Sequence, residues 1–326
     1  MVVTDTHTGD ILALVGGVDY VKNKFNRATQ AKRQLGSSIK PFIYQSAFDK
    51  GESPATFVPD VPRKFVTKGA AEVASDDTQE SEAEEWRPSN YTTRFNGFMT
   101  LKDALRTSSN LATINLVDQN IGFSKVYQAL KNDGFENLPE NMSIVLGSFE
   151  LSPLQAARQY SLFSNYGTIL KPALIESVIN KSGENIYSSP RESRHITTAA
   201  QAFLTIDILR DVVNRGTGAR ARMNGLEVAG KTGTSNRNID AWFCGFTPDV
   251  QAIVWYGRDD NTPIGPHESG GIVAPPAFAY FFSKVLTFDP GITRKFQIPE
   301  GVKFKTLDYG DFYYTDNSPL PVKKPI

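Results

Sequence analysis

Apolar positions along the chain follow two periods. Near the start, Val2-Val3 and Ile11-Leu12-Ala13-Leu14-Val15 flank the turn residues Thr8-Gly9-Asp10, and Gly16-Gly17 follows. Short apolar runs around a glycine turn predict a β-hairpin over residues 1–18. Far downstream, Glu227–Thr234, Ala241–Phe246 and Ala252–Gly257 read as three more strands, joined by turns such as Thr247-Pro248-Asp249. Another hairpin is expected around Lys181-Ser182-Gly183-Glu184.

Between the strand groups the spacing is helical. A helix is predicted from Ser37 to Lys50, with Gly51 as its stop. Thr100-Leu101-Lys102-Asp103 caps a second helix, over residues 100–118, with Leu101, Leu105 and Ala112 on one face. Ser152-Pro153-Leu154-Gln155 opens a third with a serine cap, an N1 proline and a glutamine at N3. A fourth runs from Thr198 to Val213 and ends in Asn214-Arg215-Gly216. Pro275-Pro276 is expected to start a last helix, through Leu286.

Two segments fit neither period. Residues 68–85 are alanine-rich and then strongly charged, which predicts a solvated surface insertion and not a calcium loop. The last thirty residues are proline-rich and read as an extended tail. The expected organisation is one domain over 1–290 and a tail over 291–326. The two strand groups lie at opposite ends of this domain, so they share a sheet only if the chain returns to it. That predicts an α+β fold: an antiparallel sheet flanked by helices, with an all-helical region beside it and the site between them.

Composition narrows the function. Thirty-five basic and thirty-five acidic residues cancel, so no field draws in nucleic acid or an anionic membrane. The single Cys244 excludes an internal disulfide. His7, His195 and His267 lie far apart, and neither a metal nor a cofactor is expected. No apolar run reaches the ~18 residues of a membrane span. No signal peptide is visible, and a start inside a strand reads as a piece of a longer protein.

Three motifs carry chemistry. In Ser37-Ser38-Ile39-Lys40, helical spacing puts Ser37 and Lys40 on one face, about 5–6 Å apart at Cβ. A serine needs a neighbouring base, and Lys40 serves if burial and a nearby cation keep it partly neutral. Gly36 permits a close backbone approach, and a helix N-terminus favours charge developing on a carbonyl oxygen. In Ser108-Ser109-Asn110, within the expected second helix, Ser108 can relay a proton and Asn110 can hold a substrate amide if both face a cleft. In Lys231-Thr232-Gly233-Thr234, Gly233 implies that something lies close to the strand backbone, and a substrate laid along the edge meets that need. Gly216-Thr217-Gly218 lacks a phosphate-loop context and reads as a turn.

The neighbours of these motifs widen the match. Phe25-Asn26-Arg27-Ala28, Arg33–Phe42, Trp86-Arg87-Pro88-Ser89-Asn90-Tyr91, Thr100–Leu105, Gly230–Ser235 and Asp240-Ala241-Trp242-Phe243 resemble the transpeptidase domain of class A penicillin-binding proteins over about residues 1–290. The resemblance implies the penicillin-binding protein/serine β-lactamase-like fold and crosslinking of peptidoglycan stem peptides ending in D-Ala-D-Ala. It implies Ser37 as nucleophile, Lys40 as base, Ser108 and Lys231 as proton carriers, and Asn110 as a donor-peptide contact. It further implies that Lys231 and Thr234 bind the terminal carboxylate within a substrate strand of Thr232, Gly233, Thr234 and Ser235. Backbone amides of Ser37 and Thr234 would form the oxyanion hole, and β-lactam antibiotics would trap Ser37.

For the parent protein the resemblance implies a glycosyltransferase domain, a membrane anchor and a place in the periplasm or on the outer face of the cytoplasmic membrane. Leu35 stands where proline is common. A β-lactamase would need a deacylating glutamate, and Glu136-Asn137-Leu138-Pro139-Glu140-Asn141 does not fit its loop. A D,D-carboxypeptidase or a non-catalytic β-lactam sensor uses the same residues and stays open.

Overall fold

The computed structural model describes residues 1–66, 85–91 and 95–322. The charged stretch expected to form an insertion, from residue 68 through 84, lies outside the described residues.

The predicted return of the chain to one sheet is observed. Strands β1 (Val2–Asp5) and β2 (Ile11–Leu14) form the first hairpin. Further on come β3 (Phe57–Asp60) and β4 (Gly97–Thr100), which pair with each other. Then β5 (Ala229–Thr234), β6 (Asp240–Phe246) and β7 (Val250–Gly257) form a meander. The five-stranded sheet has the order β5-β6-β7-β1-β2 and every pair is antiparallel. Val2 faces Ile253, so the opening hairpin is held by the late meander. Strand β5, which carries the lysine motif, is an edge of the sheet.

Period-two alternation sorts the sheet's side chains. Val2, Trp242, Cys244, Phe246 and Ile253 join the core shared with the helical lobe. Val3, Phe243, Ala252 and Val254 face the other way, into a second core. The lobe comprises α1 (Lys40–Phe48), α2 (Leu101–Thr107), α3 (Asn110–Asn115) and α4 (Phe123–Asn132), with α5 (Pro153–Ser164) and α6 (Ala199–Arg215) against the sheet. Phe42 sits at its centre. Its ring meets Phe135 and Tyr160 edge-on and Phe163 at a tilt, all within 4.9–5.3 Å between centroids. The capping box before α5 forms as expected, with Ser152 and Gln155 satisfying each other's amides.

Three expectations need correcting. The second predicted helix does not run unbroken from 100 to 118. It stops at Thr107, Ser108 takes a left-handed conformation (φ 62°, ψ 36°), and Ser109 caps a new helix. The last helix, α7 (Gly270–Phe288), starts before Pro275, because the Gly270 amide is held by the Thr234 hydroxyl at 2.9 Å. Among the described residues α7 is also the one helix long and apolar enough to cross a bilayer by length and composition. Ala274, Phe278 and Phe282 pack it on the second core.

The third concerns the tail. Within 291–326, β8 (Lys303–Leu307) and β9 (Gly310–Tyr314) form a hairpin. Phe312 is buried, and the Tyr313 ring stands edge-on to Phe203 of α6. Ser318 Oγ donates to the Phe48 carbonyl at 2.7 Å, at the end of α1. Aromatic anchors, invisible to a count of prolines, fasten this segment to the lobe.

Replacing Phe42 by alanine removes the ring from three aromatic neighbours in a site with little room to collapse. The expected loss is about 3–5 kcal/mol of stability, read as a lowered urea midpoint with an unchanged slope.

Candidate active site

The site is built where the turn before α1 meets the edge strand β5. Residues Gly36–Ile39 form a 3-10 turn, and the Lys40 amide donates to the Ser37 carbonyl. Ser37 thus precedes α1 instead of beginning it, but the three-residue spacing to Lys40 survives. Gly36 has φ +55°, and a side chain there would come within 2.5 Å of the Thr234 carbonyl oxygen. Only glycine meets both conditions. This approach brings the backbone of Thr234 against Gly36, the residue before Ser37.

Gly233 is explained differently from the sequence expectation. A Cβ there would lie 2.4 Å from Ser38 Oγ and 2.5 Å from the Leu35 carbonyl oxygen. The close approach is made by the chain's own turn around Ser37, which fills the space that Gly233 leaves on this face of β5. Trp242 reinforces the contact, its indole N–H donating to the Gln34 carbonyl at 2.8 Å.

Two buried lysines converge on Ser108. Lys40 Nζ donates to the Ser108 carbonyl and to Asn110 Oδ1, both at 2.7 Å, and lies 3.4 Å from Ser108 Oγ. Lys231 Nζ donates to Ser108 Oγ at 2.8 Å and to the Thr232 carbonyl at 3.1 Å. Both lysines are fully buried, and among the described residues neither makes an ion pair. Burial, then the charge of Lys231, hold Lys40 well below its ordinary range, with Asp60 opposing. Burial brings Lys231 down to about 7.

The left-handed turn at Ser108 makes this convergence possible. In an unbroken helix its hydroxyl and carbonyl would be committed to the helix surface and ladder. Here the carbonyl reaches Lys40 and the hydroxyl reaches Lys231. Asn110, the first residue of α3, also donates through Nδ2 to the Ser89 carbonyl at 2.8 Å.

A cavity of about 550 Å³ opens in front of these groups. Ser37, Ser108, Asn110, Thr232, Thr234 and Ser235 line it, while Lys40, Lys231 and Gly233 stand behind its wall. Ser37 is half-buried, accessible to a ligand. The Ser235 hydroxyl is turned to Asp240 Oδ2 at 2.9 Å, so that residue's side chain is spent on shaping the strand end.

Sequence reading missed Thr217, taken there as part of a plain turn. Its hydroxyl lies 2.7 Å from that of Thr232, at the cavity wall. Ser269 and Ile272, at the start of α7, also line the cavity. No local signal marks them, since they reach the site only through the packing of α7 on β5.

The family model for the penicillin binding protein transpeptidase domain matches residues 1–283. The chain is 36% identical over 299 residues to penicillin-binding protein 1A of Aquifex aeolicus, covering 92% of this chain and 39% of that protein. It is 34% identical over 325 residues to that of Neisseria lactamica, covering 97% and 39%. The chain therefore spans about two fifths of the length of these relatives. Penicillin-binding protein 1A of Haemophilus influenzae superposes with a TM-score of 0.86 at 26% identity, over 99% of this chain and 54% of that one. PonA1 of Mycobacterium tuberculosis in complex with penicillin V shares the fold at a TM-score of 0.74 and 22% identity, over 98% and 83%.

Lys231 gives a stability prediction with a definite sign. Its ammonium falls from an ordinary 10.5 to about 7 on folding. Between those values the unfolded chain binds a proton that the folded chain lacks, so stability rises with pH. One such group contributes up to about 1.4 kcal/mol per pH unit. Urea unfolding from about pH 7 to about pH 9 is expected to show this rise, and Lys231→Met to flatten it. An equal slope in the variant would mean that Lys231 is not neutralised by burial.

Proposed function

The chain belongs to the penicillin-binding protein transpeptidase family, and on that footing we propose that it is a serine D,D-transpeptidase acting on peptidoglycan stem peptides that end in D-Ala-D-Ala. The arrangement that supports this best is the Lys40–Ser108–Lys231 chain behind Ser37. A lysine kept neutral by burial is a base at physiological pH, which a surface lysine is not.

Lys40 takes the Ser37 hydroxyl proton as Ser37 Oγ bonds to the carbonyl carbon between the two D-alanines. The oxyanion is held by the amides of Ser37 and Thr234. Ser108, bridging the lysines, passes a proton to the nitrogen of the departing D-alanine as the peptide bond breaks. Lys231, cationic below about pH 7, and the Thr234 hydroxyl receive the terminal carboxylate. Asn110 holds the donor peptide. An amine of a second stem peptide then attacks the Ser37 ester, forms the crosslink and returns the serine. β-Lactams acylate Ser37 by the same first step, and the ester persists.

The cavity wall also bears on the β-lactamase alternative. No aspartate or glutamate is among the described residues that line it. Glu140, in the segment nearest in sequence to a deacylating motif, instead accepts a hydrogen bond from Tyr127 at 3.1 Å. A β-lactamase needs a base for its hydrolytic water, so this wall disfavours that reading. The parent protein is proposed to carry a glycosyltransferase domain and a membrane anchor, and to place this domain on the outer face of the cytoplasmic membrane, where peptidoglycan lies.

Intact mass after mixing with penicillin tests the proposal. A stable adduct mapping to Ser37 is expected, absent in Ser37→Ala and formed about 100-fold or more slowly in Lys40→Ala. An adduct persisting in Ser37→Ala sinks the assignment of the nucleophile. Rapid loss of the adduct with hydrolysed drug would favour a β-lactamase. Deleting 70–84 is expected to leave the acylation rate within a few-fold; its loss in a folded variant would give that segment a part in shaping the site.

A further inference from the structure

Asp60 closes β3 and is fully buried, yet among the described residues no cation pairs with it. Four neutral donors surround it instead. Oδ1 accepts from Asn90 Nδ2 at 2.8 Å and from Ser109 Oγ at 2.7 Å. Oδ2 accepts from the Asn96 amide at 3.0 Å and from Asn96 Nδ2 at 2.8 Å. A buried carboxylate is tolerated only when its lone pairs are taken, and here two of the donors belong to the second motif's support.

The consequences run toward the site. Ser109 Oγ caps α3 by accepting from the Ala112 amide at 3.0 Å, so its proton is free to go to Asp60. Asn90 is oriented by its donation to Asp60, which leaves its Oδ1 aimed at the amides of Asn110 and Leu111, 3.0 and 3.1 Å away. Asn115, further along α3, donates to the Pro59 and Val61 carbonyls on either side of Asp60. Strand β3 and helix α3 are thus locked around one carboxylate. Ser108 and Asn110, the two contacts of Lys40, flank and begin that helix.

We propose that Asp60 is a positioning residue for acyl transfer, which through Ser109 and Asn90 holds the start of α3 so that Ser108 and Asn110 meet Lys40. The proposal rests on the transpeptidase reading for its kinetic consequences only. Asp60 also faces Lys40 electrostatically, opposite Lys231 on β5, while Ser108 and Asn110 are uncharged. Its charge therefore favours the protonated form of Lys40, against the larger effects of burial and of Lys231.

The test compares Asp60→Asn with the double variant Asp60→Asn/Asn90→Asp. The single variant sets one acceptor oxygen and one NH2 among four donors, so either Asn90 with Ser109 or Asn96 loses its acceptor. The double variant restores the polarity, because the carboxylate introduced at position 90 accepts from the amide at position 60 and from both α3 amides. In Asp60→Asn, hydrogen exchange at the Asn110 and Leu111 amides is expected to quicken about tenfold or more. Acylation of Ser37 by penicillin should slow by a similar factor, and its acid limb should move to lower pH. The double variant should recover much of both the protection and the rate.

Unchanged exchange at these two amides in a folded Asp60→Asn protein would overturn the proposal, as would slowed acylation that the double variant does not recover. An unmoved acid limb would remove the electrostatic part. Failure of the wild-type chain to label at Ser37 would instead count against the transpeptidase reading, and the exchange measurement would still decide the role of Asp60.

Discussion

Two buried lysines share one serine at the cavity wall, and much of the structure answers to that constraint. Lys40 and Lys231 lie on different elements, and each is fully buried. Keeping two cations out of water is costly, and burial lowers the proton affinity of both. What would destabilise an ordinary core is, on the proposed reading, a supply of base near neutral pH. The lysines can meet only if Ser108 presents its carbonyl to one and its hydroxyl to the other. That requires the left-handed break between α2 and α3.

The second constraint is the approach of two backbones. The turn holding Ser37 presses on β5 through positions where a methyl group would collide. Gly36 and Gly233 face each other's segments, and Gly147 supports Gly36 from behind, accepting its amide at 3.2 Å. The glycines lose more conformational entropy on folding, and the compensation is that the Ser37 turn packs directly on the edge strand. Trp242 and its neighbours in β6 make that edge rigid, since the strand is buried on both faces.

Legibility in the sequence followed the range of the interaction. The first hairpin, the meander, the capping box of α5 and the helix from Thr198 are all local, and the residues there announce them. The break at Ser108 is not announced: residues 100–118 read as one continuous helix, and only contacts with Lys40 and Lys231, and of Ser109 with Asp60, go with the left-handed turn. The same holds for Gly233, whose neighbour is remote in sequence, and for Ser235, whose hydroxyl serves Asp240. Tail residues 303–314 misled for a related reason. Prolines signalled an extended chain, but Tyr313 meets Phe203 of α6 and Phe312 is buried beside Tyr309.

By itself, the sequence determined the chemistry on offer. It set a serine three residues before a lysine, a second serine with an amide, and a lysine ahead of a small-residue strand, because side-chain identity and short spacing are written locally. Only the tertiary structure decided which of these groups meet. The Lys40–Ser108–Lys231 chain, the Gly36–Thr234 approach and the carboxylate of Asp60 under α3 join segments far apart along the chain. Their distances are set by packing across the sheet and lobe, and no periodicity encodes such distances.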